Sequence, residues 1–183
     1  MELRFNEVKA TQVAALLLQL HGTKRMKYLK LLKLMYLIDR ESLSRWGRPV
    51  STDRHVSMEK GPVLSRVYSL ITEEQYQSGF WSEHISDASD HDVLLTADAG
   101  NSELSRAEEE LVREIFAAHG HKNRWRLVDE VHELPEWQNP HGSMIPIAIR
   151  DILKAVGKTP VEIAAIEQET ESGAFADFVL RPV

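Results

Sequence analysis

The chain has 183 residues and no cysteine, with a hydrophobic fraction of 43%, a charged fraction of 27% and a formal net charge of −6. That size predicts one domain, 1–183, with a real core, and the lack of cysteine excludes disulfides and thiolate metal sites. No apolar run of about 18 residues is present to span a bilayer, and the first residues, Met-Glu-Leu-Arg-Phe-Asn, lack the charged-then-apolar plan of a signal peptide, so the expected compartment is a reducing cytoplasm.

Asn6 caps the first predicted helix, which runs to about Leu20 on an apolar face of Val8, Val13, Leu16, Leu17 and Leu20; Gly22 ends it. A second helix is predicted from Lys24 to Trp46, stopped by Gly47 and Pro49. Only Lys30 and Lys33 interrupt its apolar run from Tyr28 to Ile38, the pattern of a central, nearly surrounded bundle member. Arg54–Glu59 alternates like a short strand, Lys60-Gly61-Pro62 turns the chain, and Pro62 suits the first position of a helix to about Ile71. Trp81–Ile85 and Val93–Thr96 read as two strands around the loop Ser86–Asp92. Ser105 and Glu108 form a capping box for a helix to about His119, ended by Gly120, and a shorter helix follows from Asn123 to His132. Pro135 and Pro140 bracket an irregular stretch around Trp137. Pro146 is placed to start a helix ending at Gly157, and Thr159 to cap a last helix from Pro160 to about Thr170; Phe175, Phe178 and Leu180 suggest a docked tail. The expected fold is mainly α, a helical bundle around a long central helix, with a small β hairpin or sheet.

Charge is unevenly spread. From Lys24 to Arg66 there are eleven Lys and Arg against four Asp and Glu, a local net of +7 that leaves −13 for the remainder. Five of those bases, Lys24, Arg25, Lys27, Lys30 and Lys33, crowd the predicted start of the second helix, where positive charge opposes the macrodipole. Either a later acidic segment of the chain packs there, or an acidic partner does.

Site chemistry is sparse. The tightest histidine cluster is His119, His121 and His132, with Asp129, Glu130 and Glu133 nearby, but no ligand pair shares a helical face in a metal-binding spacing. No Gly-x-Ser-x-Gly elbow, phosphate loop or dinucleotide fingerprint occurs, so no catalytic residue, metal or cofactor is assigned. Arg40, Arg45, Arg48 and Arg54 could meet phosphates, which keeps a DNA-binding regulator as the alternative, although the global charge is negative and no helix-turn-helix unit stands out.

Three ordered blocks carry a resemblance. Lys30–Pro49 (KLLKLMYLIDRESLSRWGRP), Asp53–Tyr68 (DRHVSMEKGPVLSRVY) and His132–Pro146 (HELPEWQNPHGSMIP) are similar to the signature helix, the strand with its Gly-Pro turn and following helix, and the Pro-Glu-Trp block of the Panacea-domain, or SocA-like, antitoxins. The resemblance implies a bacterial antitoxin, not an enzyme, that neutralises a cognate toxin by direct protein binding or as an adaptor delivering it to a cytoplasmic protease. The negative global charge and the lack of a helix-turn-helix unit disfavour nucleic acid as the partner, and self-association is left open. Within these blocks Leu31, Leu32, Leu34, Met35 and Ile38 read as core. The polar or amphipathic Asp39, Arg40, Trp46, Arg48, Arg54, His55, Lys60 and Tyr68 are the candidate partner-binding residues, with Asp39 and Arg40 equally able to form an internal ion pair.

Overall fold

The structure is a computed structural model that describes residues 4–73, 79–88 and 90–179. Helix α1 spans Glu7–Leu20, and the Asn6 side chain accepts a hydrogen bond from the Lys9 N–H at 3.0 Å, satisfying one of the free donors of its first turn. The chain then forms strand β1, Arg25–Lys27, before helix α2, Tyr28–Trp46. Residues 25–27 therefore do not open the second helix as the periodicity predicts. Met26 points into the core while Arg25 is exposed, and β1 pairs antiparallel with β5, Asp92–Leu95, whose other neighbour is β4, Ile85–Ala88. Helix α2 has no side-chain cap; the Tyr28 N–H donates instead to the His91 carbonyl at 2.9 Å. It ends on Gly47, which takes the left-handed conformation with φ +69°.

The crowded bases at the start of α2 are met from within the chain. Arg25 Nε lies 2.6 Å from Asp92, and Lys27 Nζ lies 2.5 Å from Asp90 and 3.2 Å from Asp92. Lys30 Nζ donates to the Gly120 carbonyl at 2.6 Å. The later acidic segment does pack there, and two of those positive charges acquire carboxylate partners that offset their unfavourable place on the dipole.

A second three-stranded antiparallel sheet has β2, His55–Met58, in the middle, flanked by β3, Gly61–Leu64, and β6, Ile145–Ile147. Both flanking strands contain a proline that the sequence assigns to a helix start. Pro62 lies opposite Ser57, and Pro146 opposite Val56. Neither proline has an N–H to contribute, and an edge strand is where that loss is tolerated. The helices begin later, α3 at Ser65–Thr72 and α7 at Ile149–Ala155. Trp81 likewise sits in a short helix α4, Phe80–His84, rather than in a strand, and is buried.

Helix α5, Arg106–His119, carries the predicted capping box: Ser105 Oγ accepts from the Glu108 N–H at 3.3 Å while Glu108 accepts from the Ser105 N–H at 2.9 Å. Replacing Ser105 by alanine should cost about 1 kcal/mol, read as a lower urea midpoint at unchanged slope. Helix α6 spans Arg124–His132 behind the Asn123 cap, and α8 spans Pro160–Val179, longer than the predicted stop near Thr170. The side chains of Phe175 and Phe178, and all of Leu180, lie outside what the structure describes. Helix α2 touches α1, α3, α5, α6, α7, β1 and β3, and Leu31, Leu32, Leu34, Met35 and Ile38 are all buried. The architecture is mainly helical with small antiparallel sheets, and among the described residues no helix is long and apolar enough to cross a membrane.

Candidate partner-binding surface

The eight candidate residues divide between an internal polar network and two separate ends of α2. Asp39 and His55 belong to the interior, at 1% and 3% exposure. Asp39 accepts from the Ser51 N–H at 2.9 Å, from Ser51 Oγ at 2.5 Å and from His55 Nε2 at 3.0 Å. The carboxylate is an acceptor, so Nε2 carries the proton directed at it. The His55 ring also meets the edge of Tyr36 at 5.8 Å. This network ties α2 to the stretch that leads into β2.

Asp39 and Arg40 do not pair with one another. Arg40 Nε lies 2.7 Å from Glu136 Oε1, which also accepts from the Tyr36 hydroxyl at 3.0 Å. Burial and the neighbouring Glu136 carboxylate push the Tyr36 phenol well above its ordinary value, so it stays a donor. Glu136 Oε2 is the buried side-chain atom among the described residues that has no hydrogen-bond partner. Asp53 completes the interior set: it accepts from the N–H groups of Arg54, Arg66 and Val67 at 2.6, 3.0 and 3.0 Å, fixing the start of α3. Burial raises the Asp53 carboxyl against the lowering effect of those donors.

The other candidates are at the surface. Trp46 is 37% exposed and Arg48 is exposed, both at the C-terminal end of α2. Arg54 is exposed and lines a pocket of about 470 Å³ with Met144, Ile149, Arg150 and Glu167. Lys60 and Tyr68 are brought together at the opposite end of α2, where they line a pocket of about 180 Å³ with Tyr28, Leu29, Lys33 and Gly61. At 1.5 Å per residue the two ends of α2 are about 27 Å apart, so the surface candidates do not make one continuous site.

The end near Lys60 is the richer one. A second pocket of about 180 Å³ shares Tyr28, Leu29 and Lys60 with the first and adds His91, Arg124 and Trp125. Trp125 is 49% exposed, with Lys60 Nζ 5.6 Å and Arg124 Cζ 5.0 Å from its ring centre, both within cation–π range. His91 meets the edge of Tyr28 at 6.0 Å. Gly61 holds φ +94°, and a Cβ there would stand 2.6 Å from Val131 Cγ2, so glycine is required where the β2–β3 turn passes α6.

The histidines are engaged separately. His119 Nδ1 lies 2.9 Å from Glu130, while His132 Nε2 is 3.1 Å from the Glu59 carbonyl and its ring stacks on Trp137 at 4.1 Å. Among the described residues no group of three or more His, Asp or Glu is placed to hold a metal ion.

Comparison with known families gives one match, over residues 31–138: antitoxin SocA-like, Panacea domain. The chain belongs to that family. No curated protein and no solved structure matches it. The matched stretch of the Panacea domain contains the interior network from Asp39 to Glu136 and also Lys60, Tyr68 and Trp125, whereas Tyr28 and helices α7 and α8 fall outside it. Tyr28, His91, Arg124 and Trp125 are the lining residues that the sequence reading missed. One signal was available: in α6 the buried side chains are Leu127, Val128 and Val131, and Trp125 is out of phase with them.

Proposed function

We propose that this Panacea-domain protein is an antitoxin that neutralises a cognate toxin by direct, stoichiometric protein binding. The observation that carries the reading is membership of an antitoxin family over residues 31–138. In this reading the whole chain is one domain, α2 is the central member of its bundle, and the interior network of Asp39, His55, Arg40 and Glu136 sets the shape of the surface rather than meeting the partner. The contact residues are the exposed Trp46, Arg48, Arg54 and Lys60 and the half-buried Tyr68. The bound toxin is then either occluded or presented to a protease in the cytoplasm, and the protein acts as a binder, not as an enzyme.

The disposition of the basic segment supports a protein partner over DNA. Of its eleven Lys and Arg, Lys30 and Lys33 are buried, and Arg25, Lys27, Arg40 and Arg45 are ion-paired within the chain. A duplex reader needs a coherent row of cations to displace counterions.

The test is growth. The neighbouring open reading frame is expressed alone and together with this protein. Arrested growth alone, restored growth together and co-purification of the two chains in a fixed ratio are the expected results. Equal growth in both cases overturns the reading for that pair.

A further inference from the structure

The two adjoining pockets at the N-terminal end of α2 have a chemistry that selects the partner's side chains. Their cations, the exposed Lys60 and the half-buried Arg124, make no ion pair among the described residues; both instead flank the exposed Trp125 ring. The exposed Arg45, Arg106 and Arg150 have carboxylate partners within the chain, whereas Arg48, Arg66 and Arg113 have none among the described residues; what distinguishes Lys60 and Arg124 is that both sit against one exposed aromatic ring. Glu59 is the acid among the pocket-lining residues, against Lys60 and Arg124 at the surface. Lys33 is buried below them and spends its donor on the Pro62 carbonyl, and Asp90, held by Lys27, lies at the edge within electrostatic reach of Arg124. Tyr28, Tyr68 and Trp125 supply flat apolar walls with polar tips, the residue types that anchor interfaces.

We infer that this groove is the docking site for an acidic segment of the partner, with carboxylates meeting Lys60 and Arg124 and an apolar or aromatic side chain seated between Tyr28, Tyr68 and Trp125. Naming that partner as the toxin rests on the function proposed above. Charge complementarity chooses the occupant: a local positive surface on a protein of net charge −6 attracts a short acidic segment at close range. A nucleic acid would also find stacking surfaces here, but its phosphate backbone needs a longer run of cations than two, and the net negative charge repels a long polyanion.

The full chain is titrated with three probes: an octapeptide of glutamates around one central phenylalanine, its lysine counterpart, and an oligothymidylate of eight nucleotides. The readout is the Trp125 indole N–H resonance, assigned with Trp125→Phe. The acidic peptide should move that resonance, and binding should weaken at least tenfold in the double variant Lys60→Glu/Arg124→Glu. The variant's melting temperature is measured alongside to show that it is folded. An equal response to the lysine peptide, tighter binding of the oligonucleotide, or no response to any probe overturns the inference. Toxin rescue separates the two proposals. If the wild-type chain rescues growth and the folded double variant rescues it equally, the groove inference falls and the antitoxin reading stands. If the wild-type chain does not rescue but the acidic peptide still binds at Trp125, the antitoxin reading falls and the groove remains an acidic-segment site.

Discussion

Replacing Asp39 by alanine is expected to destabilise the protein by about 3–5 kcal/mol, enough to unfold a marginal domain. The carboxylate is the acceptor for three donors, the Ser51 N–H, Ser51 Oγ and His55 Nε2, all in an interior where Asp39 is 1% exposed. Alanine leaves those donors buried without a partner, and each such group costs about 1–3 kcal/mol. Asp39→Asn separates this account from simple loss of packing. Its amide keeps one acceptor oxygen for the Ser51 N–H and places an NH₂ against Ser51 Oγ and His55, both of which can reorient to accept. Asparagine should therefore recover about half of the loss. Urea unfolding of the three proteins at one pH measures this; a shift below about 1 kcal/mol for alanine would mean that the site relaxes and finds its donors other partners. Neutralisation in cells should follow stability across this series, because Asp39 acts by holding the end of α2 to the approach to β2.

Much of the frame was legible because its signals are local. The Asn6 cap, the Ser105–Glu108 box and the glycine after Trp46 are each a side chain or a turn acting within a few residues, and the structure uses all three. What was not legible depends on distant partners. Arg25–Lys27 continues the bases of α2 in sequence, yet it becomes a strand because β5, nearly seventy positions later, offers it an edge. Pro62 and Pro146 look like helix openers, and only the pairing of β3 and β6 with β2 shows that they occupy edge strands. The same distance hides charge. A count of +7 over Lys24–Arg66 describes a basic segment, but Asp92, Glu114 and Glu136 reach back to neutralise Arg25, Arg45 and Arg40. Asp39 and His55 lie sixteen positions apart and look like surface candidates until their mutual hydrogen bond closes the interior. The groove inverts that case: Lys60 and Tyr68 were visible, while Trp125 and Arg124 enter it only when α6 packs beside the β2–β3 turn.

Replacing Lys33 by methionine is expected to stabilise the protein at pH 6 by about 2 kcal/mol and to lose that advantage in alkali. Lys33 is fully buried, its ammonium donates to the Pro62 carbonyl at 2.9 Å, and among the described residues no carboxylate is paired with it. Burial pushes its pKa down from 10.5 to about 7. Between these two values the unfolded chain holds a proton that the folded chain has released, so the wild-type protein gains stability as pH rises from about 7 to about 10.5. Below about 7 both states are protonated and the full cost of the buried charge is present, at most about 5 kcal/mol for a shift of this size. Methionine keeps the volume of the stem and removes the charge, but it leaves the Pro62 carbonyl without its donor, which costs about 1–3 kcal/mol. Below pH 7 the first effect is larger, so the variant is more stable. Near pH 10 the wild-type amine is neutral and still donates to Pro62, so only the second effect remains and the variant is less stable. The two stability–pH curves should therefore cross between about pH 8 and pH 9. Chemical denaturation of both proteins from pH 6 to pH 10 measures the difference directly and cancels every other titrating group they share. Parallel curves would show that Lys33 is solvated or paired in the folded protein, and that α2 carries its charge without cost.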